Sequence, residues 1–520
     1  MTIPSGAPES SSAALPFRAT VTLSLLFTTG LLLFALGCGS NGSSVTGPYS
    51  TASLKGSYVV RLSGNDTFID GNNNLQTESY TETLVMTADG AGNLTGVEDF
   101  NSSLPASGFT PGTAFTGNYQ LGRDGNGTMQ INFSAPASGQ INLSFTLAST
   151  TKFYIVEADA FANFSANASG VGVKQDATAF AAIPNGTFVL RVHQTPQTTV
   201  SSATVGAITF ISANSGTAIL DVLRNDAFLP QLTLNSISTG LPDSNGRGTL
   251  VYTDSSAVQT AFQYYVVDAN TFWLMGSENT KLSIGNAERM ANGSLAMNGN
   301  FAFGSSGDTD STLGAARSVG VFTANAGAIT AGALDSVLDG AFDEPFTGTF
   351  TQNNARVDAT ITPTGGSPIQ EIIWMVNPSR AFFFFVANNR VEDGTIDMQT
   401  QNTFANSDVN TQFGYALVMD GFNSSNLLTR VGTLQADGNG NLALNEEANS
   451  FVPGSLPGLI NDPGTLPGTY QVRSDGRVSA AISTLSSNLI LYMVSPGQAY
   501  ILQNDPNVAL SGQISLQTSP

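Results

Sequence analysis

The chain has 520 residues, carries 18 Lys and Arg against 38 Asp and Glu for a formal charge of −20, and is charged at only 11% of positions. Cations this sparse exclude a nucleic-acid reader, which needs clustered Lys and Arg to neutralise phosphates. One Cys and one His exclude internal disulfides, Cys-rich zinc sites and iron–sulfur clusters, and leave little for His-based catalysis.

From the N-terminus, an apolar run over residues 19–37 follows Arg18 and stops at Cys38. One positive charge, an apolar stretch and small residues before a cleavage point make a secretory signal. The run is also close to the roughly 18–20 residues that span a bilayer. An uncleaved anchor, or ordinary secretion with an incidental Cys38, therefore stays open. Ala35-Leu36-Gly37-Cys38 resembles the lipobox of bacterial lipoprotein signal peptides, matching at Gly37 and Cys38, with Ala35 where Leu is usual. The resemblance implies cleavage before Cys38, diacylation of its thiol and acylation of the new N-terminus. It also implies attachment to the cell envelope, with Gly39 in place of Asp pointing to the outer membrane. More than one chain, at roughly 0.8 kcal/mol per buried CH₂, makes such attachment effectively permanent. Residues 1–37 are then the signal peptide. Residues 38–52, opening Gly39-Ser40-Asn41-Gly42-Ser43-Ser44, are a flexible linker.

The remainder repeats itself. Gly170-Val171-Gly172-Val173-Lys174-Gln175, Gly285 to Met290, Gly394-Thr395-Ile396-Asp397-Met398-Gln399 and Gly512-Gln513-Ile514-Ser515-Leu516-Gln517 end four segments, their first glycines 115, 109 and 118 residues apart. Ala88-Asp89-Gly90-Ala91-Gly92-Asn93 returns as Ala436-Asp437-Gly438-Asn439-Gly440-Asn441, and Asp124-Gly125 returns as Asn245-Gly246 and Asp475-Gly476. Four β repeats follow: 53–178, 179–291, 292–405 and 406–520, each of single-domain size.

Within a repeat the period is two: Met129, Ile131 and Phe133 alternate with Gln130 and Asn132. That is the pattern of antiparallel strands with one buried face. The last repeat reads as eight strands, at 413–420, 427–436, 441–447, 468–474, 477–484, 488–494, 498–503 and 510–517. Short links make successive strands neighbours. The expected fold is all-β: four tandem antiparallel meander domains, closed as up-and-down barrels or folded as β-sandwiches. The strand count and Gly468-Thr469-Tyr470 after a turn resemble avidin- and lipocalin-type barrels.

In a meander, alternate links share an end. Tight turns at Gly90-Ala91 and Gly125-Asn126 fall on one end, and the longer links 63–79, 101–113 and 448–467 on the other, where binding loops are expected. Chemistry is thin elsewhere. His193 reads as a plain strand residue. The acids Glu98/Asp99, Glu157/Asp159, Asp343/Glu344, Glu392/Asp393 and Glu446/Glu447 do not recur at one position and read as surface charges. Asp70-x-Asn72-x-Asn74 and Asp437-x-Asn439-x-Asn441 echo a calcium loop but lack its sixth Gly and twelfth Glu. Phe382-Phe383-Phe384-Phe385 reads as a strand buried on both faces or at an interface. No catalytic, cofactor or metal residue is expected, and lipidation is expected at Cys38.

The expected function is a non-enzymatic surface or periplasmic lipoprotein, held to the membrane by lipid on Cys38. Its partners would be a polysaccharide, a surface protein or a small apolar ligand, and no nucleic acid. The alternatives are a carboxylate-type polysaccharide-active enzyme and an integral outer-membrane barrel. The latter usually ends on an aromatic residue, where this chain reads Gln517-Thr518-Ser519-Pro520.

Overall fold

Period-two alternation becomes strand after strand in the computed structural model. It describes residues 47–520 apart from 71, 105–107, 135–138, 162–163, 196–200, 225–226, 235, 254–258, 280, 310–314, 339, 388–389, 412–413, 424–425, 453, 456–458, 462, 484–486 and 506–507. The chain is all-β. Among the described residues it forms four successive antiparallel meander sheets and three short 3-10 turns. Cys38 and the apolar run lie outside the described residues.

The first sheet, from Lys55–Ile69 to Phe164–Lys174, and the third, from Gly299–Thr309 to Arg390–Met398, are closed eight-stranded barrels. The second has nine strands and is open between Ala227–Leu234 and Ser236–Thr239. In the fourth, Asn426–Ala436 pairs Asn441–Phe451 to complete the circle, and the short strand Leu459–Asn461 adds to Asn441–Phe451. Barrel closure explains the recurring glycine. A Cβ on Gly170 or Gly512 would lie 1.8 Å from the first-strand carbonyl of Arg61 or Val418, so only Gly lets the last strand press that closely on the first. The expected link 63–79 is mostly strand, a long hairpin running to Ile69 and back from Leu75. Its polar composition disguised it, because Asp66 and Glu78 are inward-facing residues of a closed barrel.

The sheets pack head to tail, and the fourth packs on the first. Backbone bonds at matching places make every junction: Asp176 N to Val267 O, Ala291 N to Val376 O, Thr400 N to Val494 O, and Thr518 N back to Ala148 O, at 2.7–3.0 Å. The Gln that ends three repeats adds a side-chain clamp. Gln175 Nε2 donates to Val266 O (2.7 Å), Gln399 Nε2 to Met493 O (2.8 Å) and Gln517 Nε2 to Leu147 O (2.9 Å). A repeated head-to-tail interface makes either a filament or a ring. Here four copies make a ring.

Three junctions share a buried clasp. Asp99, Asp221 and Asp335 sit at a register shift in the third strand of their sheets, and each accepts from a fourth-strand amide of its own sheet: Gly112, Gln231 and Asp343. Each also takes a guanidinium of the next sheet, from Arg247, Arg356 or Arg477 at 2.5–3.0 Å. An aromatic donor completes it: Tyr265 OH (2.6 Å), Trp374 Nε1 (2.7 Å) or Tyr492 OH (2.6 Å).

Removing one partner of a buried pair strands the other charge, at a cost of about 3–5 kcal/mol. Arg356→Ala is therefore expected to lower the urea midpoint by that order of stability. Arg356→Ala combined with Asp221→Ala should lose less than the two single changes summed. Additive losses would show that the pair is not coupled.

Candidate functional site

The barrels hold their own side chains. A cavity of about 20 Å³ in the fourth sheet lies between Tyr415, Leu434, Leu491 and Ile514, and one of about 10 Å³ in the second lies beside Leu220 and Phe262. Each is of water size, against roughly 300–1,000 Å³ for an ordinary ligand pocket. Phe383 and Phe385 pack with Phe303 inside the third barrel, while Phe384 meets Phe228 of the second sheet. The four-Phe run is thus buried on both faces and lies at an interface.

Several acids read as surface charges are buried, because period two sends one neighbour into the barrel and the other into the adjoining sheet. Glu98 and Glu392 face inward, while Asp99 faces the second sheet from the first and Asp393 faces it from the third. In the first barrel, Asp66, Glu78, Glu82, Glu98, Glu157 and Asp159 share the interior beyond the apolar layers. Tyr80 OH donates to Glu157 and Ser102 Oγ to Glu78, and Asp159 accepts from Asn142 N (3.0 Å) and Nδ2 (2.7 Å). Burial, then the charge of Glu157, raises Asp159 to about 8. The third barrel instead holds Glu371, raised to about 8 by burial against the pull of Arg390. The fourth pairs Arg430 with Glu446 at 3.2 Å. Glycoside hydrolysis needs two acids flanking an open sugar site, and Glu157 and Asp159 are both fully buried.

The calcium-loop echoes are turns. Asp437 Oδ1 accepts from Asn439 N and Asn441 N, and Asp70 Oδ1 from Asn72 N and Asn74 N, so these carboxylates are used on their own loops. Among the described residues no group of three or more His, Cys, Asp and Glu is arranged to hold a metal ion.

His193 is not a plain strand residue. It faces the third sheet, with Nδ1 2.6 Å from Asp393 Oδ2 and Nε2 3.2 Å from Asp308 Oδ2. Arg191 Nε lies 3.3 Å from Asp393 Oδ1, and Ser201 Oγ donates to Asp308 at 3.2 Å. Burial alone would push the imidazole down, but Asp393 and then Asp308 outweigh it and carry it to about 10. With both ring nitrogens donating to carboxylates, the imidazolium has no lone pair for a general base. It serves as a cation joining two sheets. Arg61 of the first sheet stacks 5.0 Å over Trp273 and donates to Gly285 O at 2.8 Å, beside the strand of Arg191. Sequence reasoning missed this hub and the clasps. The clasps had a readable signal, an Asp and an Arg 148, 135 and 142 residues apart in successive repeats.

The two ends of the sheets differ. At one lie tight turns whose glycines Gly125, Gly246 and Gly476 adopt φ of +87°, +75° and +92°, closed to other residues without strain. Tyr49 docks at this end, its N–H to Arg123 O (3.4 Å) and its hydroxyl to Thr518 O (2.7 Å). At the other end lie the hairpin tip with exposed Leu75, the end of Lys152–Phe161 with exposed Phe161, and the link after Phe451 with exposed Val452.

Fold and surface together define an all-β array of four ring-packed antiparallel sheets. No family model matches the chain, and no curated protein matches it. Solved structures similar to it include transferrin binding protein B from Haemophilus parasuis Hp5, at 7% identity over 66% of this chain and 76% of that one, with a TM-score of 0.19. The same protein from serogroup B Neisseria meningitidis has 10% identity over 66% and 76%, with a TM-score of 0.18. Intact Ap-TbpB (N and C lobes) has 8% identity over 71% and 84%, with a TM-score of 0.17. Likeness at this level carries no functional assignment. No helix among the described residues is long and apolar enough to cross a membrane.

A carboxyl whose folded value is raised contributes stability that is complete below its unfolded value, near 4, and is lost as pH rises through 8. Urea unfolding at pH 5 and pH 8.5 should therefore show a loss at the higher pH. Asp159→Asn, which still accepts from Asn142, should reduce that loss, and an unchanged pH slope would refute the assignment.

Proposed function

We propose that the chain is a non-enzymatic exported lipoprotein whose ring of β-sheets presents its loop-bearing end to an extracellular polysaccharide or surface protein. In this reading 1–37 is the signal peptide, Cys38 carries the lipid, 38–52 is the tether, and 53–178, 179–291, 292–405 and 406–520 are the four units. The observation that carries it is where the tether arrives. Tyr49, eleven residues after Cys38, is held among the tight turns beside Arg123 and Thr518. A lipid on Cys38 then puts the tight-turn end toward the bilayer, leaving the long links facing outward.

Neighbouring sheets share this direction. Gln175 bonds turn-end carbonyls of the second sheet, while Asn101 Nδ2 bonds Gly276 O (2.9 Å) and Lys281 O (3.1 Å) at the opposite end. Loops on a rigid scaffold are the usual carriers of recognition, and water-sized cavities favour surface binding over capture inside a barrel. The buried state of the carboxylates and the doubly engaged His193 support a non-catalytic role.

Mass spectrometry of the mature N-terminus is expected to find acyl chains on Cys38, and an unmodified Cys38 would remove the tether. Replacing residues 452–464 with a short Gly/Ser link should weaken binding on a glycan array or to whole cells while costing, of the strands, only the short Leu459–Asn461. Full binding after the exchange would count against the outward loops. A reducing-end assay should detect no turnover.

A further inference from the structure

Among the described residues, the hub contains a guanidinium, that of Arg61, with no carboxylate in direct contact. The first strands of the first two sheets place Arg61 and Arg191 at matching positions, one residue before the pair that faces the recurring glycine. Among the described residues Arg61 makes no ion pair. Its contacts are one carbonyl, Gly285 O, and the face of Trp273. The nearby carboxylate, Asp393, is already engaged by Arg191 and His193. Burial, then the neighbouring charge of Arg191, lowers Arg61 to about 10, with Asp393 acting in opposition. In a chain of charge −20, the hub gathers Arg61, Arg191 and His193 around two carboxylates, Asp393 and Asp308.

The place is reachable. Arg191 keeps 24% of its side-chain surface and His193 18%. Farther toward the loop-bearing end, Ser63 and Asn65 are half-buried on the same face as Arg61, and Ser306 is exposed on the face that carries Asp308. Hydroxyl and amide groups therefore line the approach, and a planar guanidinium fork binds oxyanions through paired N–H donors.

We propose that Arg61 and Arg191 form a site for one carboxylate group of an acidic saccharide, entering from the loop-bearing end, with Ser63, Asn65 and Ser306 placed for its hydroxyls. The saccharide rests on the binding reading above, whereas the oxyanion site rests on Arg61 alone.

The test uses thermal unfolding and calorimetric titration of the full chain with methyl glucuronide, acetate and methyl glucoside at constant ionic strength, with chloride as reference. Saturable binding of the glucuronide is expected, tighter than acetate, with no binding of the neutral glucoside. Arg61→Gln and Arg191→Gln should each weaken it by about tenfold or more, the loss of a charge-assisted forked contact. Arg61→Lys, which keeps the charge but not the fork, should fall between. Should Arg61→Gln fail to fold, Arg61→Lys and Arg191→Gln carry the same comparison. No effect beyond chloride, or binding by both Gln variants as tight as by the unaltered chain, would overturn the site. Acetate equal to the glucuronide would overturn the saccharide. Glucuronide binding that survives replacement of 452–464, with cell binding lost, would separate this site from the outward loops.

Discussion

A buried carboxylate serving two sheets at once is the interaction on which the ring depends. Asp99 illustrates it: one oxygen takes the Gly112 amide at 2.7 Å and Arg247 Nη2 at 2.5 Å, the other Arg247 Nε at 2.9 Å and Tyr265 OH at 2.6 Å. Desolvating a carboxylate and a guanidinium costs several kcal/mol each, recovered only when geometry is good and the remaining lone pairs are filled. Here they are filled from both sides. The amide that helps do so exists because the fourth strand departs from regular pairing, with Gly112 at φ +70°, Gln231 at +50° and Asp343 at +55°. For Gln231 and Asp343 that conformation is strained by about 1–3 kcal/mol, and the strain is offset only while the carboxylate is in place. Sheet irregularity and sheet packing are therefore one feature.

The fourth junction lacks the guanidinium and meets its carboxylate, Glu447, with a hydroxyl. Where the others carry Arg, the first sheet carries Asn126, which accepts from Thr146 of its own sheet at 2.6 Å. Ser144 Oγ reaches Glu447 at 2.7 Å, and Asn449 Nδ2 spans to Glu157 O and Ala166 O, both at 2.8 Å. Asn167 Nδ2 returns a bond to Asn449 O at 2.7 Å. Buried amides satisfied by backbone carbonyls need no charge compensation.

Much of this architecture was legible because it is written with local rules. Alternation such as Ile141, Leu143 and Phe145 demanded strands. Asp-Gly pairs marked the turns, and the repeated glycine and Gln marked where each repeat ends. What was illegible depends on three-dimensional company. An acid pair such as Glu392-Asp393 looks like surface charge until a barrel wall sends one residue inside and the other across an interface. His193 looked isolated because its partners lie 115 and 200 residues away. The hairpin over 63–79 looked like a loop because its inward positions carry acids in place of apolar residues.

Strand parity links the fold to its orientation. An even number of meandering strands returns the chain to the end where it began, so each closed eight-stranded unit receives and releases the chain among its tight turns. Every connection between units, the docked Tyr49 and the final strand's exit at Thr518 then crowd one face of the ring. The opposite face is relieved of connecting duty, and its links can lengthen at little entropic cost, since doubling a loop adds only about 0.6 kcal/mol. Variation in length, such as the link after Phe451, and variation in barrel interiors, acidic in the first and ion-paired in the fourth, both concentrate toward that face. A scaffold that fixes one end and frees the other confines the work of assembly to a single face.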